Sequence, residues 1–283
     1  MKRITTIAEM KAVCRQVAHS GKTLGFVPTM GALHEGHLSL VRASQARCAV
    51  TAVSIFVNPL QFGPAEDLDK YPRPLERDAA LLEELGVDFL FTPAVGEMYP
   101  PGAKSYVLVE ELSNKLDGAS RPGHFRGVTT VVAKLFEIVR PDCAFFGQKD
   151  AAQVAVLRKM VKDLDMDVEM VVCPTVRERD GLAMSSRNAY LTPEQRQQAL
   201  VLHRSLMRVQ MAADQGEREA IKLIELGEQV LAEEEGVRLD YFAVVEPETL
   251  DPVEDISHGA LVAVAAYVGT TRLIDNILIT GRH

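Results

Sequence analysis

Residues 26–37 read Phe-Val-Pro-Thr-Met-Gly-Ala-Leu-His-Glu-Gly-His. His34 and His37 stand three apart, so on a helical turn they share one face. Two imidazoles there can donate hydrogen bonds to phosphate oxygens and bear positive charge as negative charge develops. Gly31 and Gly36 would let the backbone come close to a ligand. A helix beginning near Gly36 would turn its free N–H groups and positive dipole end toward an anion. Other readings of the same residues stay open. Gly31-x4-Gly36 has the glycine spacing of a P-loop, yet His37-Leu38 stands where that motif carries Lys and Ser or Thr. His34-Glu35-Gly36-His37 is one residue short of the zinc helix, whose histidines are four apart, so no zinc and no metal ligand is assigned. The pair also fits a plain helix cap.

Two further groups of residues carry polar chemistry. Asn58 and Gln61 follow an apolar run, and their amides could hold a hydroxyl and a carboxylate without adding charge. The loop after them, with Pro59, Gly63, Pro64 and Pro72, reads as a lid or as an ordinary long loop. Cationic residues fall into three loops. Arg121 precedes a helix expected from Val128. Phe146-Gly-Gln-Lys-Asp150 joins a strand to the helix carrying Gln153. Pro174–Asn188 holds Ser185, Ser186 and Arg187. A lysine beside a helix start and a forked guanidinium beside hydroxyls suit a polyphosphate.

Those loops need a scaffold. From the start to about residue 175, apolar runs alternate with helical spacings. Thr23–Pro28, Ala49–Val57, Val87–Phe91, Cys143–Phe146 and Val168–Cys173 read as strands. Gly36–Arg47, Pro74–Leu85, Val128–Val139 and Ala151–Asp163 read as helices. Continuous apolar strands between amphipathic helices predict an α/β, Rossmann-like doubly wound parallel sheet covered on both faces. Ligands of such a sheet lie beyond the carboxyl ends of its strands, where the histidine loop and Gly147–Asp150 are expected. After about residue 176 the pattern changes. Two polar-faced helices, Pro193–Gln210 and Glu217–Glu234, precede three apolar segments, Tyr241–Val245, Leu261–Val268 and Thr271–Ile279. This predicts a sheet domain over 1–175 and a smaller α+β domain over 176–283.

The 283 residues carry 31 Lys and Arg against 39 Asp and Glu, a net charge of −8. That balance argues against a dedicated nucleic-acid binder, whose phosphate contacts need clustered cations. The positive charge should instead gather in one cleft, Lys149, Arg187 and Arg121 facing the histidine loop. The longest apolar runs, Ala49–Val57 and Ala260–Val268, are about half the ~20 residues of a membrane span. The N-terminus lacks the apolar core of a secretory leader. Cys14, Cys48, Cys143 and Cys173 are far apart and form no CxxC pair, which fits reduced thiols in a cytoplasmic protein.

Taken together, Val27–His37, Ile55–Phe62, Phe146–Asp150 and Pro174–Arg177 with Met184–Asn188 closely resemble the pantoate–β-alanine ligase (pantothenate synthetase) family, in order and over nearly the whole chain. The histidine loop is similar to the HIGH-type signature of the nucleotidyltransferase superfamily. The resemblance implies condensation of pantoate with β-alanine, driven by ATP through a pantoyl-adenylate, with AMP and diphosphate released. It implies Mg²⁺ and a cytoplasmic homodimer, and no zinc, NAD or flavin. By motif, Met30, Gly31, Ala32, Leu33, His34, Glu35, Gly36 and His37 would line the ATP site. Gly147, Gln148, Lys149, Asp150, Val176, Met184, Ser185, Ser186 and Arg187 would complete it. Gln61, Gln153 and Asn58 would hold pantoate, Gln61 also β-alanine. His34, His37, Lys149 and Arg187 would carry the chemistry. Ala151-Ala152 stands where the family often has Tyr-Gln, predicting local repacking before Gln153. Tyr71, Asp78 and Arg121 lie near the site without a role from the motifs. A nucleotidylyltransferase acting on a phosphorylated small molecule would share the histidine loop and diphosphate release, and a non-catalytic nucleotide-binding module would bind ATP yet release no diphosphate.

Overall fold

The structure, a computed structural model, describes residues 1–64 and 66–281. Chain order begins with strand β1 (Lys2–Ile4), helix α1 (Ile7–His19), β2 (Leu24–Thr29), α2 (Glu35–Arg47) and β3 (Val50–Ile55). It continues with α3 (Leu75–Glu84), β4 (Phe89–Phe91), the short α4 (Val95–Met98) and α5 (Asp117–Ser120), and α6 (His124–Val139). β5 (Cys143–Gly147), α7 (Ala151–Asp163) and β6 (Glu169–Cys173) complete the first part. The six strands form one sheet in the order β1-β4-β3-β2-β5-β6, every pair parallel. The order reverses between β2 and β5, which makes their carboxyl ends the crevice of the sheet.

Burial follows the two-residue period of each strand. Phe26, Ala52, Phe91, Ala144 and Phe146 share a core with Met10, Val13, Phe136, Val154 and Leu157 of α1, α6 and α7. Val27, Val53, Leu90 and Phe145 share another with Leu40, Val41 and Leu82 of α2 and α3. β2, β3, β4 and β5 are therefore apolar on both sides, as strands between two helical layers require.

The rest comprises α8 (Pro193–Gln198), α9 (Leu200–Asp214), α10 (Ala220–Ala232), β7 (Val237–Val245), β8 (Gly259–Val268) and β9 (Thr271–Thr280). The strands form an antiparallel sheet in that order, with β9 on one edge. Phe242, Val244, Val262, Val264 and Leu273 pack on Val201, Leu202, Leu206 and Leu223 of α9 and α10. Val245, Leu261 and Ala263 join the core of the six-stranded part instead. The small sheet thus has one face for its own helices and one against the larger sheet's helices. The expected single helix over Pro193–Gln210 is two, because the chain tightens at Ala199, whose carbonyl accepts from Leu202 N at 3.3 Å.

Candidate active site

The loop after β2 turns sharply before α2. Gly31 and Ala32 have φ of +82° and +50°. A buried carboxylate holds this turn: Asp78 accepts from Ala32 N at 2.7 Å and from Leu33 N at 3.0 Å. A Cβ on Gly31 would lie 3.1 Å from Asp78 Oδ2, so the glycine serves both the backbone angle and the close approach. Burial raises the Asp78 carboxyl above its ordinary range, opposed by those two N–H donors.

His34 is the N-cap of α2. Its Nδ1 accepts from Gly36 N at 3.2 Å, and Nδ1 of His37 accepts from His34 N at 3.3 Å. The helix-cap reading of the pair is therefore realised, and it sets their chemistry. An acceptor Nδ1 leaves the proton of a neutral imidazole on Nε2, as a donor for a ligand. The rings stand 4.1 Å apart. Burial, then the Lys149 charge, lowers His34 to about 4. Burial, then the neighbouring His34, lowers His37 to about 3. The expectation concerned positive charge taken up as negative charge develops on a ligand; before that, burial and the neighbouring charges favour the neutral form of both rings.

Lys149 and Asp150 lie in the turn after β5, on the other side of the crevice. The Lys149 ammonium is mostly buried, and its ion-pair partner Asp150 stands 3.6 Å away. Ala151 and Ala152, the departure from the family pattern, are both buried in the core beneath α7. Gln153, in the first turn of α7, is half-buried and lines the cavity described below.

Gln61 is fixed from several sides. Its Oε1 accepts from Asn58 Nδ2 at 3.1 Å, and its Nε2 donates to Met30 Sδ at 3.0 Å. Its carbonyl accepts from His124 Nδ1 at 2.8 Å and Arg121 at 3.2 Å. Asn58 is buried and saturated: it also donates to Gly127 O and accepts from the Tyr99 hydroxyl and Leu60 N. The structure places Asn58 behind Gln61, as its support. One Gln61 N–H meets only a thioether, a weak acceptor that a ligand oxygen would improve on.

The segment before α8 closes over the histidine loop. Ser186 Oγ donates to Ala32 O at 3.1 Å. Met184 N donates to Val176 O at 3.0 Å, and a Cβ on Gly36 would lie 3.9 Å from the Met184 Cβ. Ser185 caps the turn Ser186–Tyr190 by accepting from Arg187 N. The expected convergence of cations is only partly met. Lys149 is close enough to lower both histidines. Arg187 instead forks onto Asp67 at 3.1 and 3.0 Å, and Arg121 forks onto Glu66 at 2.8 and 2.6 Å. Burial alone would raise the Glu66 carboxyl, but Arg121 brings it below its ordinary range. Both carboxylates belong to the loop after Gln61. Sequence reasoning missed them, since nothing local pairs residues 120 and 55 positions apart.

Lys149, Asp150, Gln153, Ser185 and Arg187 line a cavity of about 1090 Å³ shared with Glu66, Asp67, Arg121 and Arg272. His34, His37, Met30 and Gln61 do not line it; they form the neighbouring floor of the crevice at the end of β2 and after β3. Among the described residues no group of three or more His, Cys, Asp or Glu is placed to hold a metal ion. No helix among them is long and apolar enough to cross a membrane.

A doubly wound parallel sheet with helix N-termini, imidazole donors and a lysine at its switch point defines a nucleotide-site architecture. The comparisons with known proteins give the family. Residues 2–278 match the family described as pantoate-beta-alanine ligase. The chain is 62% identical to a pantothenate synthetase of Koribacter versatilis, over 99% of this chain and 96% of that one. The crystal structure of pantothenate synthetase from Thermus thermophilus is 50% identical, with a TM-score of 0.94, covering 98% of this chain and 99% of that one. A pantoate-beta-alanine ligase from Francisella tularensis, complexed with beta-gamma ATP and beta-alanine, is 34% identical with a TM-score of 0.82, covering 98% and 97%. The chain belongs to the pantoate–β-alanine ligase family.

Proposed function

We propose that this chain condenses pantoate with β-alanine, using ATP, through an enzyme-bound pantoyl-adenylate. The observation that carries the reading is the meeting, in a chain of this family, of three loops at one crevice. The His34/His37 helix start, the Lys149 turn and the Ser186–Arg187 segment lie against each other there. The ATP site comprises Met30–His37, Gly147–Asp150, Val176 and Met184–Arg187. Gln61 and Gln153 hold pantoate, with Asn58 keeping Gln61 in place.

In the first step a pantoate carboxylate oxygen attacks the α-phosphorus of ATP. A P–O bond forms to that oxygen and the bond to the bridging oxygen breaks, so diphosphate leaves. In the second step the β-alanine amine attacks the acyl carbon; the C–N bond forms, the C–O bond to AMP breaks, and the amine loses a proton. No side-chain nucleophile is needed. The chain's work is positioning, plus stabilising the charge that develops. His34 and His37 donate from Nε2, while Lys149 supplies a fixed positive charge. Arg187 adds a forked donor once released from Asp67. Residues 176–283 act as the closing unit over residues 1–175.

Mg²⁺ belongs to the reading as a companion of ATP. The described residues offer no cage for it, so phosphate oxygens and water would supply most of its ligands; no step above rests on the ion. A homodimer and a cytoplasmic setting are part of the same proposal, the former open to sedimentation. The deciding experiment uses the purified folded chain. Pantoate-dependent diphosphate release from ATP is expected first, then AMP release that depends on β-alanine. Diphosphate release that needs a phosphorylated acceptor and ignores pantoate would mean a nucleotidylyltransferase.

A further inference from the structure

β9 is an apolar edge strand with a polar pair in its middle, Asp275-Asn276, and both residues are buried. A buried amide is tolerated only where its hydrogen bonds are made. Those of Asn276 are all made, and all on one loop. Its Oδ1 accepts from Gln148 Nε2 at 3.1 Å. Its Nδ2 donates to Gln148 O at 3.0 Å and to Lys149 O at 2.9 Å. Next to it, Asp275 accepts two hydrogen bonds from Arg177, at 2.6 and 2.9 Å, and one from Asn276 N at 2.8 Å. That anchors the strand to the chain leading into Met184–Arg187.

We infer that Asn276 is a positioning residue for Lys149, through which the small sheet sets the anion-facing geometry of the turn after β5. The reasoning is geometric. In a planar trans peptide the N–H points opposite to the preceding C=O. Pinning the carbonyls of Gln148 and Lys149 toward β9 therefore aims the N–H groups of Lys149 and Asp150 the other way. It also fixes the Cα from which the Lys149 side chain departs. The placement of Lys149 thus depends on the small sheet being seated. The inference rests on the proposed role of Lys149, and the experiment separates the two.

The test uses Asn276→Ala and, because the alanine leaves a gap, the isosteric Asn276→Asp, which turns both donors into acceptors facing carbonyl oxygens. The first readout is amide hydrogen exchange in the ligand-free protein. Exchange over residues 147–152 is expected to rise at least several-fold, with β8 unchanged. The second is pantoate-dependent diphosphate release, expected to slow by on the order of 10- to 100-fold, the loss that a displacement near 1 Å brings. Pantoate affinity measured without nucleotide should stay within about 2-fold of the parent. The third is a double-mutant cycle with Lys149→Ala: if Asn276 acts through Lys149, the second substitution costs little once the first is made. Unchanged exchange over 147–152, or fully additive losses, would overturn the inference. Raised exchange together with a near-normal Lys149→Ala enzyme would support the clamp and reject the catalytic role of Lys149.

Discussion

Arg187 and Asp67 are 120 residues apart in sequence and joined by two hydrogen bonds, at 3.1 and 3.0 Å, each partner about one-quarter exposed. A carboxylate in the fork of an arginine has the shape and charge of a phosphate edge. In the proposed reaction ATP must take that fork from Asp67. Asp67→Asn is therefore expected to tighten ATP binding by roughly 5-fold, or about 1 kcal/mol, the scale of a partly exposed pair. Arg187→Ala should weaken it. Isothermal titration of both variants checks this; weaker binding by Asp67→Asn would mean that Asp67 only supports the loop.

Lys149→Ala and His37→Ala are expected to slow pantoyl-adenylate formation by ~10²–10³-fold each, the loss typical of one preorganised donor, about 3 kcal/mol. The melting transition should remain cooperative, because neither side chain is part of the apolar clusters that hold the two sheets and their helices together. Single-turnover diphosphate release measures the step alone. A near-normal rate for either variant would falsify its assigned role.

The sheet was readable because its inner strands are apolar on both faces and alternate with amphipathic helices, as the run Ala49–Val57 before Pro74–Leu85 does. α7 begins and ends where the spacing placed it, at Ala151 and Asp163. β1 was not readable: three residues at a sheet edge carry no period. α1 carries a signal that the sequence reading did not use, Met10, Val13, Cys14 and Val17 on one face. In the site, the histidine loop and Lys149 were legible because motif and strand end coincide. The partners of Arg187 and Arg121 were not, since a pairing across a long loop leaves no local trace. The Asp275-Asn276 pair did leave one, as two polar residues inside an apolar strand.

Stability should fall as the solution is acidified from about pH 6.5 toward 4. His34, His37 and His124 are lowered to about 4, 3 and 4, chiefly by burial. In the unfolded chain each takes up a proton near pH 6.5, so over this window the unfolded state binds more protons. Each histidine then costs up to about 1.4 kcal/mol per pH unit. Above about pH 7 all three are neutral in both states and contribute no slope. Denaturant titrations between about pH 4 and 8 measure this, and His124→Asn should flatten the acid limb. A midpoint that stays level across the acid range would contradict the neutral assignment of these rings.

Asp78→Ala should damage both fold and chemistry. It leaves the N–H groups of Ala32 and Leu33 without their acceptor in a buried turn. At about 1–3 kcal/mol for each unsatisfied group, the chain should lose roughly 2–6 kcal/mol of stability. Chemical denaturation gives that figure directly. Adenylation should also fall in the surviving folded fraction, because the turn that presents His34 is no longer held. A variant with full stability would show that the turn is fixed by other contacts.

Gly127 separates substrate placement from catalysis. It lies on the face of α6 that meets the turn Pro59–Gln61, and a Cβ there would fall on the Leu60 carbonyl oxygen. That backbone cannot move aside as a flexible side chain would, and Gly127 O is itself an acceptor of Asn58. Gly127→Ala should push the turn away from α6, breaking the Asn58–Gly127 bond and carrying Gln61 with it. The expected result is a KM for pantoate raised on the order of 10-fold or more, with the KM for ATP nearly unchanged, since the histidine loop and Lys149 hang from other strands. Steady-state kinetics in each substrate decide it. A rise confined to ATP would move Gln61 out of the pantoate site and into the nucleotide's.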